Sequence, residues 1–173
     1  MQQNKGQKGF SLVELLIVVA IIGIVAAIAI PNLLASRRAA NEGSAIASMR
    51  TIGSSEATYQ STTGNGNFGN LAELRGSQLI DAQLAASRKS GYVFAITEVD
   101  QTRDAVTGAV LTLPSYDATA NPITPAAGAT QTGTRRFGTT QAGVIYVDNT
   151  NLATAMTAAE LNANPVTFLP IGD

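Results

Sequence analysis

Polar and apolar positions divide the chain into a front run, a striped run and a turn-rich remainder. Residues 10–30 read FSLVELLIVVAIIGIVAAIAI, twenty-one positions in which Ser11 and Glu14 are the only polar side chains. As a helix this run extends about 31 Å at 1.5 Å per residue, close to the hydrocarbon thickness of a bilayer. Further on, Arg37, Asn41, Ser44, Ser48, Thr51, Ser55 and Thr58 recur at alternating spacings of four and three and form one polar stripe. Ala45, Met49, Ile52 and Tyr59 repeat at near-helical spacing on another face, with Ile46 and Ala57 beside them. Between the two runs, Pro31 removes a backbone donor at a cost of about 3 kcal/mol, yet the helical pattern resumes at once. A kink rather than a stop is expected there. The two runs together predict a stem helix over residues 10–60, apolar in its first half and amphipathic in its second, with residues 61–173 as a head that covers the apolar stripe. A generic surface helix behind an anchor would carry the same stripe.

The helix should end at Ser61-Thr62-Thr63-Gly64-Asn65-Gly66-Asn67, a run of helix breakers and turn formers. Gly64 to Gly69 also spells GxGxxG, but the dinucleotide fingerprint needs a strand before it, and here a long helix precedes it. Residues 71–84 predict one or two short helical turns joined through Gly76. Residues 92–99, aromatic and β-branched, read as the first strand, followed by strands at 109–113, 115–120, 135–139 and 144–147, most simply antiparallel. Residues 121–133, rich in Pro, Ala, Thr and Gly, predict an exposed loop. Thr157 and Glu160 have capping-box spacing for a brief helix in MTAAELNA.

Composition removes most chemistry. The 173 residues contain no cysteine and no histidine, so disulfides, thiolate or imidazole metal sites and Cys- or His-dependent catalysis are excluded. Neither a GK[ST] phosphate loop nor a glycosidase-like acid pair is present, and no enzyme is expected. Eleven basic against twelve acidic residues leave a net charge of −1, too little for general nucleic-acid binding. The adjacent pair Arg135-Arg136 reads as a solvated strand end, whereas Arg37-Arg38 lies just past the apolar run, where lipid headgroups or neighbouring subunits could meet it.

Three readings fit the front segment. Lys5 and Lys8, with no acid before residue 10, keep the N-terminus cytoplasmic and send the rest outward. A secretory signal peptide would be cut at Ala27-Ile28-Ala29, before Ile30, and release a secreted or periplasmic binding domain. An uncleaved anchor would merely attach the head to lipid. Neither uses Glu14, although a charge central in a membrane costs about 2.5 to 3.5 kcal/mol and usually marks function. The third reading rests on KGFSLVELLIVVAIIGIVAAIAIPNL, residues 8–33, which resembles the type IV pilin and type II secretion pseudopilin superfamily through its prepilin-type cleavage and methylation motif. Looser likenesses occur in GYVFAIT, YDATANPITP and TGTRRFGTTQAGVIYV.

That resemblance implies an α+β pilin fold, a long N-terminal helix packed on a small antiparallel sheet. It implies a leader of residues 1–9, cleavage between Gly9 and Phe10 by a membrane aspartic peptidase, N-methylation of Phe10, Glu14 as the assembly glutamate and Pro31 as the helix-kinking proline. The new amine of Phe10 would be a cation four residues from Glu14. It can pair within one chain, across a helical turn, or with Glu14 of a neighbouring copy, where the contact fixes axial register. Only the second pairing builds a polymer.

Further partners implied are a cytoplasmic assembly ATPase and a membrane platform protein, and the location is the inner membrane before assembly and the cell surface afterwards. A secretion pseudopilin is the alternative within the superfamily, spanning the periplasm as a short fibre. Such pseudopilins typically hold calcium in an acidic loop near the C-terminus. Asp148, Asn149 and Asn151, or Asp100 and Asp104, are the nearest candidates here, but a hard cation takes six to eight oxygens and neither group is dense enough. Solvated turns are expected there, and no cofactor or metal is assigned. Many pilins staple the C-terminal region with a cysteine pair, so in this chain packing, hydrogen bonds or an ion must hold it.

Overall fold

The computed structural model describes residues 9–125, 128–149, 156–163 and 169–171. The chain divides into two units, residues 1–36 and residues 37–173, and helix α1 (Leu12–Ser61) contributes to both. In the first unit α1 carries fourteen large apolar side chains from Leu12 to Leu33, each about half exposed or more. Pro31 sits inside the helix, which continues unbroken on both sides of it. Lys5 and Lys8 lie outside the described residues.

In the second unit the C-terminal half of α1 packs on one face of a six-stranded antiparallel sheet. The strands are β1 (Arg88–Lys89), β2 (Tyr92–Val99), β5 (Ser115–Pro122), β6 (Arg136–Thr140), β7 (Ile145–Asp148) and β8 (Leu169–Pro170), in that spatial order. Two further strands, β3 (Thr102–Arg103) and β4 (Val110–Thr112), form a separate hairpin between β2 and β5. Alternate residues of the sheet, among them Tyr92, Phe94, Tyr116, Ala118, Ala120 and Phe137, meet Ala45, Met49 and Ile52 of α1 in one core. The α+β arrangement of a long N-terminal helix on a small antiparallel sheet is therefore present.

Several expectations need correction. Tyr92–Val99 is not the first strand, because the two-residue β1 precedes it. The strand expected at 109–113 forms, but in the separate hairpin. The loop expected to be exposed at 121–133 is partly buried: Pro122 and Gly133 are covered, and Thr132 bonds back to Thr124 through both its amide and its hydroxyl. Gly133 is required because a Cβ would overlap the Tyr92 hydroxyl, which donates to the Arg135 carbonyl at 2.9 Å.

The polar stripe of α1 also divides differently. Ser48 and Ser55 lie on the buried face, where the Ser55 hydroxyl donates to the Leu79 carbonyl at 3.0 Å. Serine fits there because it is small and its hydroxyl can satisfy a buried carbonyl. Glu42 and Glu56, absent from both stripes read in the sequence, are buried on the same face.

Those two acids have opposite electrostatics. Burial would raise the pKa of Glu42, but the Thr134 hydroxyl and amide donate to Oε1 at 2.6 and 2.7 Å and Arg135 Nε donates to Oε2 at 2.8 Å, and the pKa ends below the usual value. Glu56 is pushed up to about 7, first by burial and then by the negative charges of Glu98 and Glu73, against one amide bond from Gly69 at 3.0 Å. Among the described residues its Oε1 has no hydrogen-bond partner. A raised carboxyl pKa stabilises the fold fully below the unfolded value, about 4.5, and that contribution is lost as pH rises through about 7. The loss amounts to up to about 3 kcal/mol. Urea unfolding at pH 5 and pH 8 should show this decline in the wild type and a much smaller one in Glu56→Gln.

The two short helices after α1 begin with side-chain caps. Asn70 and Glu73 form a reciprocal capping box for α2 (Leu71–Gly76), and Asp81 caps α3 (Ala82–Ala85) at Leu84. In α4 (Ala158–Ala163) the expected box forms: Glu160 accepts from the Thr157 amide at 2.8 Å, and the Thr157 hydroxyl accepts from the Glu160 amide at 3.2 Å. Helix α4 covers the second face of β6, where a Cβ on Gly138 would overlap Met156 and Leu161. Strand β6 is thus buried on both faces.

That burial overturns the solvated reading of Arg136. Its side chain is 2% exposed and donates to Asp148 Oδ2 through Nε at 3.0 Å and through Nη2, with Glu160 Oε2 at 3.7 Å from Nη1. Asp148 faces it in register across β6 and β7.

Candidate assembly site at the start of the long helix

Gly9 and Phe10 precede the helix in non-helical backbone. Phe10 is 90% exposed, and among the described residues no heavy atom would lie within 4 Å of a Cβ at Gly9. The helix begins at Leu12 because Ser11 caps it. The Ser11 hydroxyl accepts from the Val13 amide at 3.3 Å, its carbonyl accepts from the Leu15 amide at 3.2 Å, and its own amide donates to Glu14 Oε2 at 2.8 Å. Ser11 and Glu14 thus form half of a capping box: the N3 glutamate accepts from the cap amide, while the serine hydroxyl accepts from the N2 amide of Val13 rather than from that of Glu14. The S-x-x-E spacing was legible in the sequence, and it supplies a role for Glu14 that the anchor and signal-peptide readings lacked. Oε1 of Glu14 makes no hydrogen bond among the described residues. A carboxylate near a helix N-terminus also meets the positive end of the macrodipole.

From Leu15 to Pro31 α1 is apolar on every side, and it is long and apolar enough to cross a membrane. Removing fourteen half-exposed or more exposed side chains from water is favourable by an order of 20 to 40 kcal/mol at 1.5 to 3 kcal/mol each. Such a helix requires lipid or other helices around it. Past it, Arg38 of the second unit donates to Gln131 at 3.2 Å, while Arg37 is exposed.

The remaining sequence candidates resolve into structure. Gly64 to Gly69 follows the C-terminus of α1, where the Gly64 and Gly66 amides bond the Tyr59 and Gln60 carbonyls. A Cβ at Gly64 or Gly69 would press on the Tyr59 ring, so these glycines admit close packing at a helix end rather than a phosphate after a strand. Asp148 is committed to Arg136, and Asp104 lies in a turn, with Oδ1 accepting from the Val106 and Thr107 amides and the Thr107 hydroxyl. Asn149 is exposed and Asn151 lies outside the described residues. Among the described residues no three His, Cys, Asp or Glu side chains are placed to hold a metal ion. The C-terminal segment is held by packing and hydrogen bonds: Met156 donates its amide to Asn121 Oδ1 at 2.6 Å, and Ile171 donates its amide to the Ile145 carbonyl at 2.8 Å.

Comparison with known proteins places this geometry. Residues 4–30 match the family model described as the prokaryotic N-terminal methylation motif. Over 38 residues the chain is 63% identical to the type IV wide pilus major component PilA4 of Thermus thermophilus, a match that covers 22% of this chain and 29% of that relative. No solved structure matches the chain. The N-terminal methylation motif and the helix that carries it are thus similar to those of a type IV pilin, and a long helix on an antiparallel-sheet head accompanies them.

Proposed function

We propose that this chain is a structural subunit, not an enzyme, of a type IV pilus-like filament. It is inserted in the inner membrane with residues 1–9 on the cytoplasmic side, cut between Gly9 and Phe10 by a prepilin peptidase, N-methylated at Phe10 and polymerised through α1. Pro31 bends the helix, and Glu14 of one copy meets the Phe10 amine of the next. The observation that carries this reading is the methylation motif lying across a capped helix start, with an exposed Phe10 before the cap and the apolar stretch from Leu15 to Pro31 after it. Polymerisation exchanges lipid contacts for helix contacts, so apolar burial changes little and extraction must be driven. A cytoplasmic ATPase acting through a membrane platform fits that need.

Mass spectrometry of protein sheared from cells should find a chain that begins at methylated Phe10. A start at Ile30 or an intact Met1 overturns the proposal. Negative-stain microscopy of the same material, with a label on this chain, should show long fibres. Short periplasm-spanning fibres would assign it to a secretion pseudopilus instead.

A further inference from the structure

The β3–β4 hairpin has no evident role in the fold. Its apolar side chains point outward, with Val106 at 93%, Leu113 at 75% and Leu111 at 67% exposure. A lone two-stranded ribbon is marginal in water, and exposed apolar side chains, with Val106 in its turn and Leu111 in β4, add nothing to its stability there. The tip is nonetheless rigidly built. Asp104 Oδ1 accepts three bonds from the turn, the Asp104 amide donates to the Ala109 carbonyl at 2.8 Å, and the Gly108 amide donates to the Asp104 carbonyl at 2.9 Å. Asp104 Oδ2 makes no hydrogen bond among the described residues.

A matching concavity lies elsewhere on the same unit. Between α1 and the β6–β7 turn runs a groove of about 370 Å³, with Phe68, Tyr116 and Ile145 as its apolar floor and Arg50 and Gln141 on its rim. Gly53 and Gly143 keep its walls low. Arg50 is exposed and has no ion pair among the described residues. No hairpin residue lines the groove of its own chain.

The sheet register explains how both features face neighbours. Val99 and Ser115, from which the hairpin emerges, are paired, and Asp117 beside them pairs with Thr140, the last residue before the β6–β7 turn. Hairpin and groove therefore belong to the same end of the sheet, two strands apart. A knob and a groove at different places on one surface make a heterologous contact, which repeats from copy to copy without closing and suits an open helical polymer.

We propose that the hairpin tip of one copy, with Val106 leading and Asp104 beside it, seats in the groove of a second copy, where Asp104 faces Arg50. This rests on the filament reading above and names a contact between heads that the helix motif does not supply. The complementarity is apolar at the centre and charged at the rim, and the hydrogen-bonded turn lowers the ordering cost of docking.

The chain lacks cysteine, which permits a direct test on full-length protein in fibre-producing cells. With Ala105→Cys and Gln141→Cys in one chain, oxidation of sheared fibres by copper phenanthroline and oxygen should give a ladder of covalent oligomers in whole multiples of the chain. Each single variant should stay monomeric, and adding Val106→Lys to the pair should cut the ladder about tenfold, as expected when a lysine replaces a buried valine. Intact fibres without a ladder overturn the contact while leaving the filament reading in place. A ladder indifferent to Val106→Lys, or bands at masses that are not multiples of the chain, also overturns it. If wild-type cells yield no fibres, the filament reading fails and this contact fails with it.

Discussion

Full-length protein carrying Glu14→Ala is expected to be cut after Gly9 as the wild type is, yet to enter fibres poorly even beside wild-type copies. The proposed joint sets the Glu14 carboxylate of one copy against the Phe10 amine of the next in a water-poor core. Removing one partner of such a pair leaves an uncompensated charge at a cost of about 3 to 5 kcal/mol. That corresponds to about two to four orders of magnitude in the equilibrium at each joint. Alanine also deletes the acceptor for the Ser11 amide, so loss of assembly by itself would not separate the cap from the joint. Glu14→Gln does separate them, because an amide oxygen still serves in a capping box but carries no charge. The mature N-terminus by mass spectrometry and fibre yield by microscopy are the readouts. Full assembly of Glu14→Gln would confine the residue to its cap.

In the head, Asp148→Ala is expected to give the largest loss of stability, about 3 to 5 kcal/mol, because it removes the carboxylate that accepts two bonds from the buried Arg136 guanidinium. Arg136 is 2% exposed, and Glu160, half-exposed at 3.7 Å, is too far to replace two direct bonds to Asp148. For a chain of this size the melting temperature should fall by roughly 6 to 20 °C. Thermal unfolding of the full chain in detergent measures it. Replacing both partners with apolar residues, Arg136→Met with Asp148→Leu, should recover most of that loss, since neither charge then has to be kept dry. A double variant as unstable as the single one would point instead to shape at the β6–β7 pair.

Features set by local sequence were legible. The apolar run, the methylation motif, the stem helix and the Thr157–Glu160 cap each depend on residues within a few positions of one another. The strand at 92–99 was found at its observed ends because its aromatic and β-branched residues are bounded by turn formers. Features set by distant partners were not legible. Arg136 reads as a surface residue until Asp148 is placed opposite it and α4 is laid over the far side of β6. Ser55 and Glu56 look like solvent-facing positions until the segment from Gly64 to Leu79 folds over α1, where the Leu79 carbonyl and the Gly69 amide meet them. Residues 109–113 have strand composition, but nothing local determines that β4 pairs with β3 and not with the main sheet. Strands β1, β3 and β8 are two residues long, too short to leave a periodic signal. Gly9, Phe10, Glu14 and Pro31 are candidates that the resemblance of residues 8–33 supplies, whereas the bond from Ser11 to Glu14 needs the helix start in view.

The first hydrogen-bonded turn of α1 hangs from the Ser11 carbonyl and amide, both on the downstream side of the Gly9–Phe10 bond. Hydrolysis at that bond would sever nothing that holds the helix together. Precursor and product would then share the same helix start and differ in the nine leader residues and in the new amine at Phe10, so maturation would switch on self-association without rebuilding the first turn.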